Sequence, residues 1–139
     1  MSFEIDYRIK ESGFLLYDWP LSSIFLKNEK KFPWLILVPR VENIQEIYQL
    51  NEANLNQLMA EIAKVSQLMK GYFNPDKLNI GALGNIVSQL HVHIVARFQG
   101  DKAWPHGIWQ PTLTTDQYNN EQADQLITAL QAQLAEVKF

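Results

Sequence analysis

The 139-residue chain predicts an α+β fold, with an antiparallel sheet of about five strands, one long central helix and a C-terminal helix. Three observations carry this. Short apolar or alternating runs, bounded by Pro, Gly and Asn, lie on both sides of one long helical pattern. A second helical pattern closes the chain. Strand and helix do not alternate regularly, which argues against a parallel sheet of strand–helix–strand units. The length fits a single domain over residues 1–139, large enough to bury most of its apolar surface without a metal or disulfide.

Phe14 to Tyr17 and Ser22 to Leu26 read as short strands broken at Trp19-Pro20, the first of them an edge, because proline supplies no ladder donor. Trp34 to Val38 is apolar at every position and bracketed by Pro33 and Pro39, as expected of a central strand buried on both faces. From Glu52 to about Tyr72, Leu55, Leu58, Met59, Ile62, Val65 and Met69 recur with helical period, so Met59 and Met69 are expected in the core. Gly71 and Asn74-Pro75 close the helix. Leu78 to Leu83 and Leu90 to Arg97 form an antiparallel pair joined by a turn at Gly84-Asn85. Ala103 to Pro111 is a Trp/Pro-rich loop. Asp116 to Lys138 is the second helix, with Leu126, Ile127, Leu130, Leu134 and Val137 on one stripe.

The chemistry concentrates in Gln89-Leu90-His91-Val92-His93-Ile94-Val95. Alternate side chains of a strand point to opposite faces, so Gln89, His91 and His93 share one face while Leu90, Val92 and Ile94 enter the core. Two of the three histidines of the chain thus stand side by side. Upstream, Gly81 to Asn85 reads as a tight turn whose amides can face an anion, and imidazoles beside such a loop suit phosphate.

Composition narrows the alternatives. Zero cysteines exclude disulfides, thiolate metal sites and cysteine nucleophiles, and fit a reducing, cytoplasmic setting. Met1 to Asp6 is acidic where a secretory signal is basic and then apolar. The longest apolar run, Phe32 to Pro39, is far short of the ~20 residues of a membrane span. A net charge of −3 argues against nucleic acid bound by bulk electrostatics. Lys27, Lys30 and Lys31 are a local exception that could steer a phosphorylated small molecule, although a solvated loop is the simpler reading.

The run from Gln89 to Val95, the trailing Arg97 and the Gly84-Asn85 loop resemble the His-x-His-x-His signature of the histidine-triad (HIT) superfamily, with Gln89 at the first triad position. Phe32 to Pro39 resembles the other signature of that family, a Gly-His pair leading into an apolar strand that ends in Pro. Pro33-Trp34 stands where Gly-His is usual. The similarity spans roughly residues 14 to 110 and points toward bacterial dinucleoside polyphosphate hydrolases.

That resemblance implies a HIT-like fold and a nucleotide hydrolase or nucleotidyl transferase cleaving at an α-phosphate, with a dinucleoside polyphosphate or a nucleoside phosphoramidate as substrate. It implies His91 as the nucleophile that forms a covalent nucleotidyl-histidine, oriented by the main-chain carbonyl of Gln89. That carbonyl survives the loss of the histidine side chain, so glutamine is expected to be tolerated there. His93 is implied to lie against the phosphate and, protonated, to offset charge on the leaving group. Asn79, Gly84 and Asn85 match the phosphate loop, with Ile86 where a small hydroxyl residue is common. Asn28 matches a ribose-binding Asp/Asn but is read equally well as a turn residue, and Leu26 and Phe25 are candidates to sandwich the base. No resident cofactor is implied, although a divalent cation can accompany the nucleotide. A homodimer is implied, joined through the long helix and the strand from Leu78; Leu58, Met59, Ile62, Val65, Leu68 and Met69 span more of the helix than one core face needs.

Other readings stand beside this one. The pair could be a catalytically weakened nucleotide-binding module, or a structural pair of hydrogen-bonded histidines. With His106 it could form a metal-dependent hydrolase site, although His106 reads more simply as an exposed loop residue. Trp104 and Trp109 read as cover for the sheet rather than as a pocket lid, and Arg97 as structural.

Overall fold

The computed structural model describes residues 3–139. Its five strands are β1 (Gly13–Asp18), β2 (Ser22–Lys27), β3 (Trp34–Pro39), β4 (Lys77–Gly81) and β5 (Val92–Arg97). They form one sheet in the order β1-β2-β3-β5-β4, with every neighbouring pair antiparallel. The helices are α1 (Tyr7–Glu11), α2 (Glu52–Phe73) and α3 (Asn120–Glu136), with a short 3-10 turn at Ile47–Gln49. The α+β class, the edge position of β1 and the central position of β3 all match the sequence reading.

The two long helices cover one face of the sheet. Leu58, Ile62, Val65, Leu68 and Met69 of α2 and Leu130 and Leu134 of α3 pack against Leu16, Ile24, Leu26, Leu35, Leu37, Leu90, Val92, Ile94 and Ala96. These sheet residues alternate along each strand, so the pleat decides which half of every strand belongs to the core. The opposite face is covered in two patches. Ile9 of α1 and Val87 pack on Phe25, Ile36 and Val38, while Ile108 packs on Phe32 and Val95. Between the patches the sheet stays open.

Several boundaries differ from expectation, each for a local reason. The C-terminal helix starts at Asn120 rather than Asp116, because Asn119 and Gln122 form a reciprocal capping box. The amides of Asp116 and Tyr118 are instead held by Glu29 and Asn28. The fourth strand ends at Gly81, and residues 82–91 form an open loop in place of a tight turn. Met59 is 53 % exposed and outside the core, on the solvent side of α2. The other five apolar residues expected to over-fill this helix are buried within the chain itself, so a charge at Ile62 or Met69 acts first on the fold of the single chain. Helix α1, too short to show a period, has no counterpart in the sequence reading.

Glu61 of α2 is completely buried, and N–H donors surround its carboxylate. The amides of Leu21 and Ser22 donate to Oε2 and Oε1 at 2.8 and 2.9 Å, and Gln57 Nε2 donates at 2.9 Å. The carboxylate thereby fastens the start of β2 to the central helix. Glu61→Ala leaves two buried amides without acceptors and is expected to cost about 2–4 kcal/mol, read as a lowered urea midpoint. An unchanged midpoint would mean that water replaces the carboxylate without penalty.

Candidate active site

The alternation of β5 places Val92, Ile94 and Ala96 toward the helices and His93, Val95 and Arg97 toward the open face. His91 lies just before the strand and continues the same face. The open face holds a cleft of about 570 Å³ lined by His91 and His93, by Leu83 to Val87, by Arg8, Ile9 and Ser12, by Lys27, Trp34 and Ile36, and by Ile108 to Pro111. No acidic side chain lies among these lining residues, and Arg8 and Lys27 supply two cations. A chain of net negative charge thus encloses a locally positive cleft, which suits an anionic ligand.

The two imidazoles are 7 % and 8 % exposed, with ring centroids 4.8 Å apart. His91 Nδ1 lies 2.7 Å from the Gln89 carbonyl oxygen. A carbonyl only accepts, so Nδ1 carries the proton and Nε2 keeps its lone pair. This is the orienting carbonyl that the resemblance implies. His93 is fixed the opposite way. Trp34 Nε1 can only donate, and it does so to His93 Nδ1 at 2.9 Å, which leaves the His93 proton on Nε2. Burial, then the neighbouring His91 and Lys27, push the His93 pKa down from 6.5 to about 3. His93 is therefore a neutral hydrogen-bond donor at physiological pH, and the expectation of a protonated imidazole is corrected.

An aromatic cluster surrounds this pair. Trp109 packs edge-on against His93 and Trp34, with centroids 5.7 and 6.4 Å apart. It also lies against Gly81, where an added Cβ would sit 3.3 Å from the indole ring. Trp109 is therefore a wall of the cleft, contrary to its reading as mere cover, whereas Trp104 stacks on the Arg97 guanidinium. Lys27 Nζ stands 5.3 Å from the centre of the Trp34 ring. Burial lowers the Lys27 pKa, partly offset by Glu29. Gly84 takes φ +77°, a left-handed turn that glycine adopts without strain and that carries the loop along the edge of the cleft.

Of the residues expected at the site, His91, His93, Gly84 and Asn85 are brought together here, and Gln89 contributes its carbonyl. The others are placed elsewhere. The Gln89 side chain turns away, to residues 4–6. Asn79 Oδ1 accepts from Arg97 Nη1 at 2.7 Å, and Asn28 Oδ1 accepts from the Tyr118 amide at 3.0 Å, so both are structural ties. Leu26 points into the helix-side core and Phe25 is sealed beneath Ile9. Neither can sandwich a base, and the cleft residue of β2 is their neighbour Lys27. Arg8 is a charged lining residue that sequence reasoning missed, and Lys27 and Trp109, read there more simply as solvated loop and sheet cover, line the cleft together with Trp34. The available signal was the period-two pattern of β2 and β3, which puts Lys27, Trp34 and Ile36 opposite the core positions.

Arg97 is structural, as expected. Its Nε and Nη2 donate to Asp101 at 2.8 and 3.0 Å, between the rings of Phe32 and Trp104. Burial alone would raise the Asp101 carboxyl, but Arg97 and the amides of Ala103, Phe98 and Trp104 outweigh it and hold the group well below the usual carboxylate range. His106 is exposed on its loop and does not join the histidine pair. Among the described residues no group of three or more His, Cys, Asp or Glu could hold a metal ion, and no helix is long and apolar enough to cross a membrane.

A model of the HIT domain family matches residues 9–100. A histidine triad protein of Bradyrhizobium japonicum is 40 % identical, with 96 % of this chain and 98 % of that one covered, at a TM-score of 0.91. Another, from Marinobacter aquaeolei VT8, is 36 % identical over 99 % of this chain and 100 % of that one, at 0.94. One from Sinorhizobium meliloti 1021 is 34 % identical over 96 % of each chain, at 0.87. No curated protein matches significantly.

The His93 ring gives a direct check of this geometry. Its folded pKa lies below its unfolded one, so the unfolded chain binds the extra proton and stability is expected to fall as pH drops from about 6.5 toward about 3. In an NMR titration the His93 ring should stay neutral, with Nε2 protonated, down to pH 4.5. A His93 midpoint near 6.5 would contradict the assignment.

Proposed function

The chain belongs to the HIT domain family, a family of nucleotide-binding hydrolases and transferases, and on that premise we propose that it cleaves nucleotides at an α-phosphate through a covalent intermediate on His91. The substrates are dinucleoside polyphosphates or nucleoside phosphoramidates. The single observation that carries this reading is the opposite tautomeric fixing of two adjacent imidazoles in a cationic cleft. The Gln89 carbonyl leaves His91 Nε2 as the nucleophile, and Trp34 leaves His93 Nε2–H as a donor.

In the first step His91 Nε2 forms a bond to the α-phosphorus and the bond to the leaving group breaks, its electron pair departing with the leaving atom. The nucleotidyl-imidazole gains positive charge, which is stabilised by the hydrogen bond that Nδ1–H donates to the Gln89 carbonyl. Lys27, the His93 Nε2–H and the loop at Gly84 and Asn85 face the phosphate and stabilise charge developing on its oxygens. In the second step water attacks the phosphorus, the bond to His91 Nε2 breaks with its electron pair returning to the imidazole, and a proton of the water passes to solvent as the nucleoside monophosphate is released. Ile9, Ile36, Ile108 and Trp109 provide the apolar wall against which base and sugar lie. All of this uses groups of the chain itself, so no resident cofactor is part of the proposal, and a divalent cation enters only with the phosphates of the substrate.

We also propose that two copies pair through the edge strand β4 and helix α2. Ile80 on β4 is 51 % exposed, beside an unpaired strand edge, and Met59 is exposed on α2. Light scattering at micromolar concentration should give twice the 16.1 kDa mass of the chain. A mass matching one chain would refute the pairing.

The catalytic reading is tested with His91→Ala. Turnover of an adenylyl polyphosphate should fall by several orders of magnitude, while nucleoside monophosphate still binds, because only the nucleophile is lost. Acid quench of the wild type during turnover should trap a nucleotide on His91. Wild-type-like turnover in the variant would exclude His91 as nucleophile, and reversible stoichiometric binding without turnover in the wild type would make the chain a binding module.

A further inference from the structure

Gln89 occupies the first triad position, yet its side chain never faces the cleft. Its Nε2 donates to the Glu4 carbonyl at 2.7 Å and its Oε1 accepts the Asp6 amide at 2.9 Å. A primary amide offers a donor and an acceptor side by side, so it grips the backbone of residues 4–6 as a neighbouring strand would. That segment runs directly into α1, where Asp6 Oδ1 caps the Arg8 amide at 2.9 Å. The same carboxylate holds the guanidinium, with Nε at 3.0 Å and Nη2 at 2.8 Å, and Nη1 donates to the Ile86 carbonyl of the Gly84 loop at 3.3 Å. Hydrogen bonds from the Arg8 side chain and backbone amide to the Asp6 carboxylate lower its pKa to about 2, so the pair stays ionised. Ile9, buried against Phe25, Ile36, Val38 and Val87, anchors the helix to the sheet.

Three of the five guanidinium N–H groups are thus committed to holding Arg8 in place, and two remain for a ligand in the cleft that Arg8 lines. The geometry points to residues 4–11 as a working part of the site. Arg8 binds phosphate of the leaving group beyond the scissile bond, and Gln89 is the positioning residue that latches the arm carrying it. The inference rests on the proposed nucleotide chemistry and goes further by naming the leaving-group class. An amine must take up a proton to depart, and His93, whose Nδ1 accepts from Trp34, is a neutral ring that would have to become an imidazolate to give up its Nε2 proton. A phosphate or polyphosphate leaves as an anion when the P–O bond breaks, and Arg8 takes up that charge. It follows that the chain prefers nucleotides with anionic phosphate leaving groups to phosphoramidates, whose amine departs as a neutral molecule. Glutamine at position 89 thus has contacts of its own beside the carbonyl that orients His91.

The test uses calorimetric titration of the whole chain with AMP and ATP, in a His91→Ala background that prevents turnover. Arg8→Ala should weaken ATP by about tenfold or more and leave AMP within about twofold, and Arg8→Lys should recover part of the loss. Gln89→Ala and Gln89→His should show the same ATP-selective loss, and Gln89→Ala should add nothing once Arg8 is already alanine. If Arg8→Ala changes AMP and ATP equally, or neither, the arm has no phosphate role and the inference fails while the nucleotide reading stands. If neither nucleotide binds the His91→Ala chain or the wild type, the proposed function fails and takes the inference with it. Should Gln89→Ala not fold, the Arg8 pair decides the question alone.

Discussion

Period-two alternation along β5 is the constraint on which the rest of the molecule depends. Leu90, Val92, Ile94 and Ala96 are committed to the helix-side core, and a one-residue slip would drive two imidazoles and a guanidinium into it. The site therefore inherits its precision from the core. Antiparallel register then fixes the surroundings. His93 lies opposite Ile36 on one side and Gly81 on the other, which brings Trp34 within hydrogen-bond reach and leaves room above Gly81 for the Trp109 ring.

Much of this was legible in the sequence. The α+β class, the central strand over Trp34 to Val38, the long helix and the shared face of His91 and His93 all follow from periodicity, because burial on one side of a strand or helix leaves a repeating mark. What stayed hidden has no such mark. Helix α1 is five residues long and shows no period. Its place over the sheet comes from contacts 83 and 85 residues apart in sequence, through one amide side chain. Asn28 and Asn79 carry the right functional group for a ligand, but their partners are Tyr118 and Arg97. Type and motif position cannot reveal which neighbour consumes a hydrogen bond. Strand alternation alone sends Leu26 into the core and puts Phe25 and Lys27 on the cleft face, but only the packing of Ile9 over Phe25 leaves Lys27 as the residue that reaches the cleft.

Carboxylates shape the site by their absence from it. Asp101 is committed to Arg97 and three amides, Glu61 to the amides that open β2, Glu29 to Lys31 and the Asp116 amide, and Asp6 to Arg8. Each negative charge is compensated locally, and the cleft is left with cations, backbone amides and two neutral-capable rings. Charged groups placed in this way are already oriented before a ligand arrives, and less reorganisation is needed at the moment of reaction. The Asp6–Arg8 pair differs from the others in being partly exposed, and its arginine lines the cleft.

The cluster of Trp34, His93 and Trp109 has an optical consequence. An indole whose N–H is tied to an imidazole, and which faces a second indole edge-on, has its emission set by groups that themselves line the cleft. The other two tryptophans report on different surroundings, Trp19 through its bond to the Leu134 carbonyl and Trp104 through its stack on Arg97. The chain therefore carries a built-in fluorophore pair at the cleft, against a structural background that a Trp34→Phe or Trp109→Phe variant would isolate, so occupancy can be followed without a label.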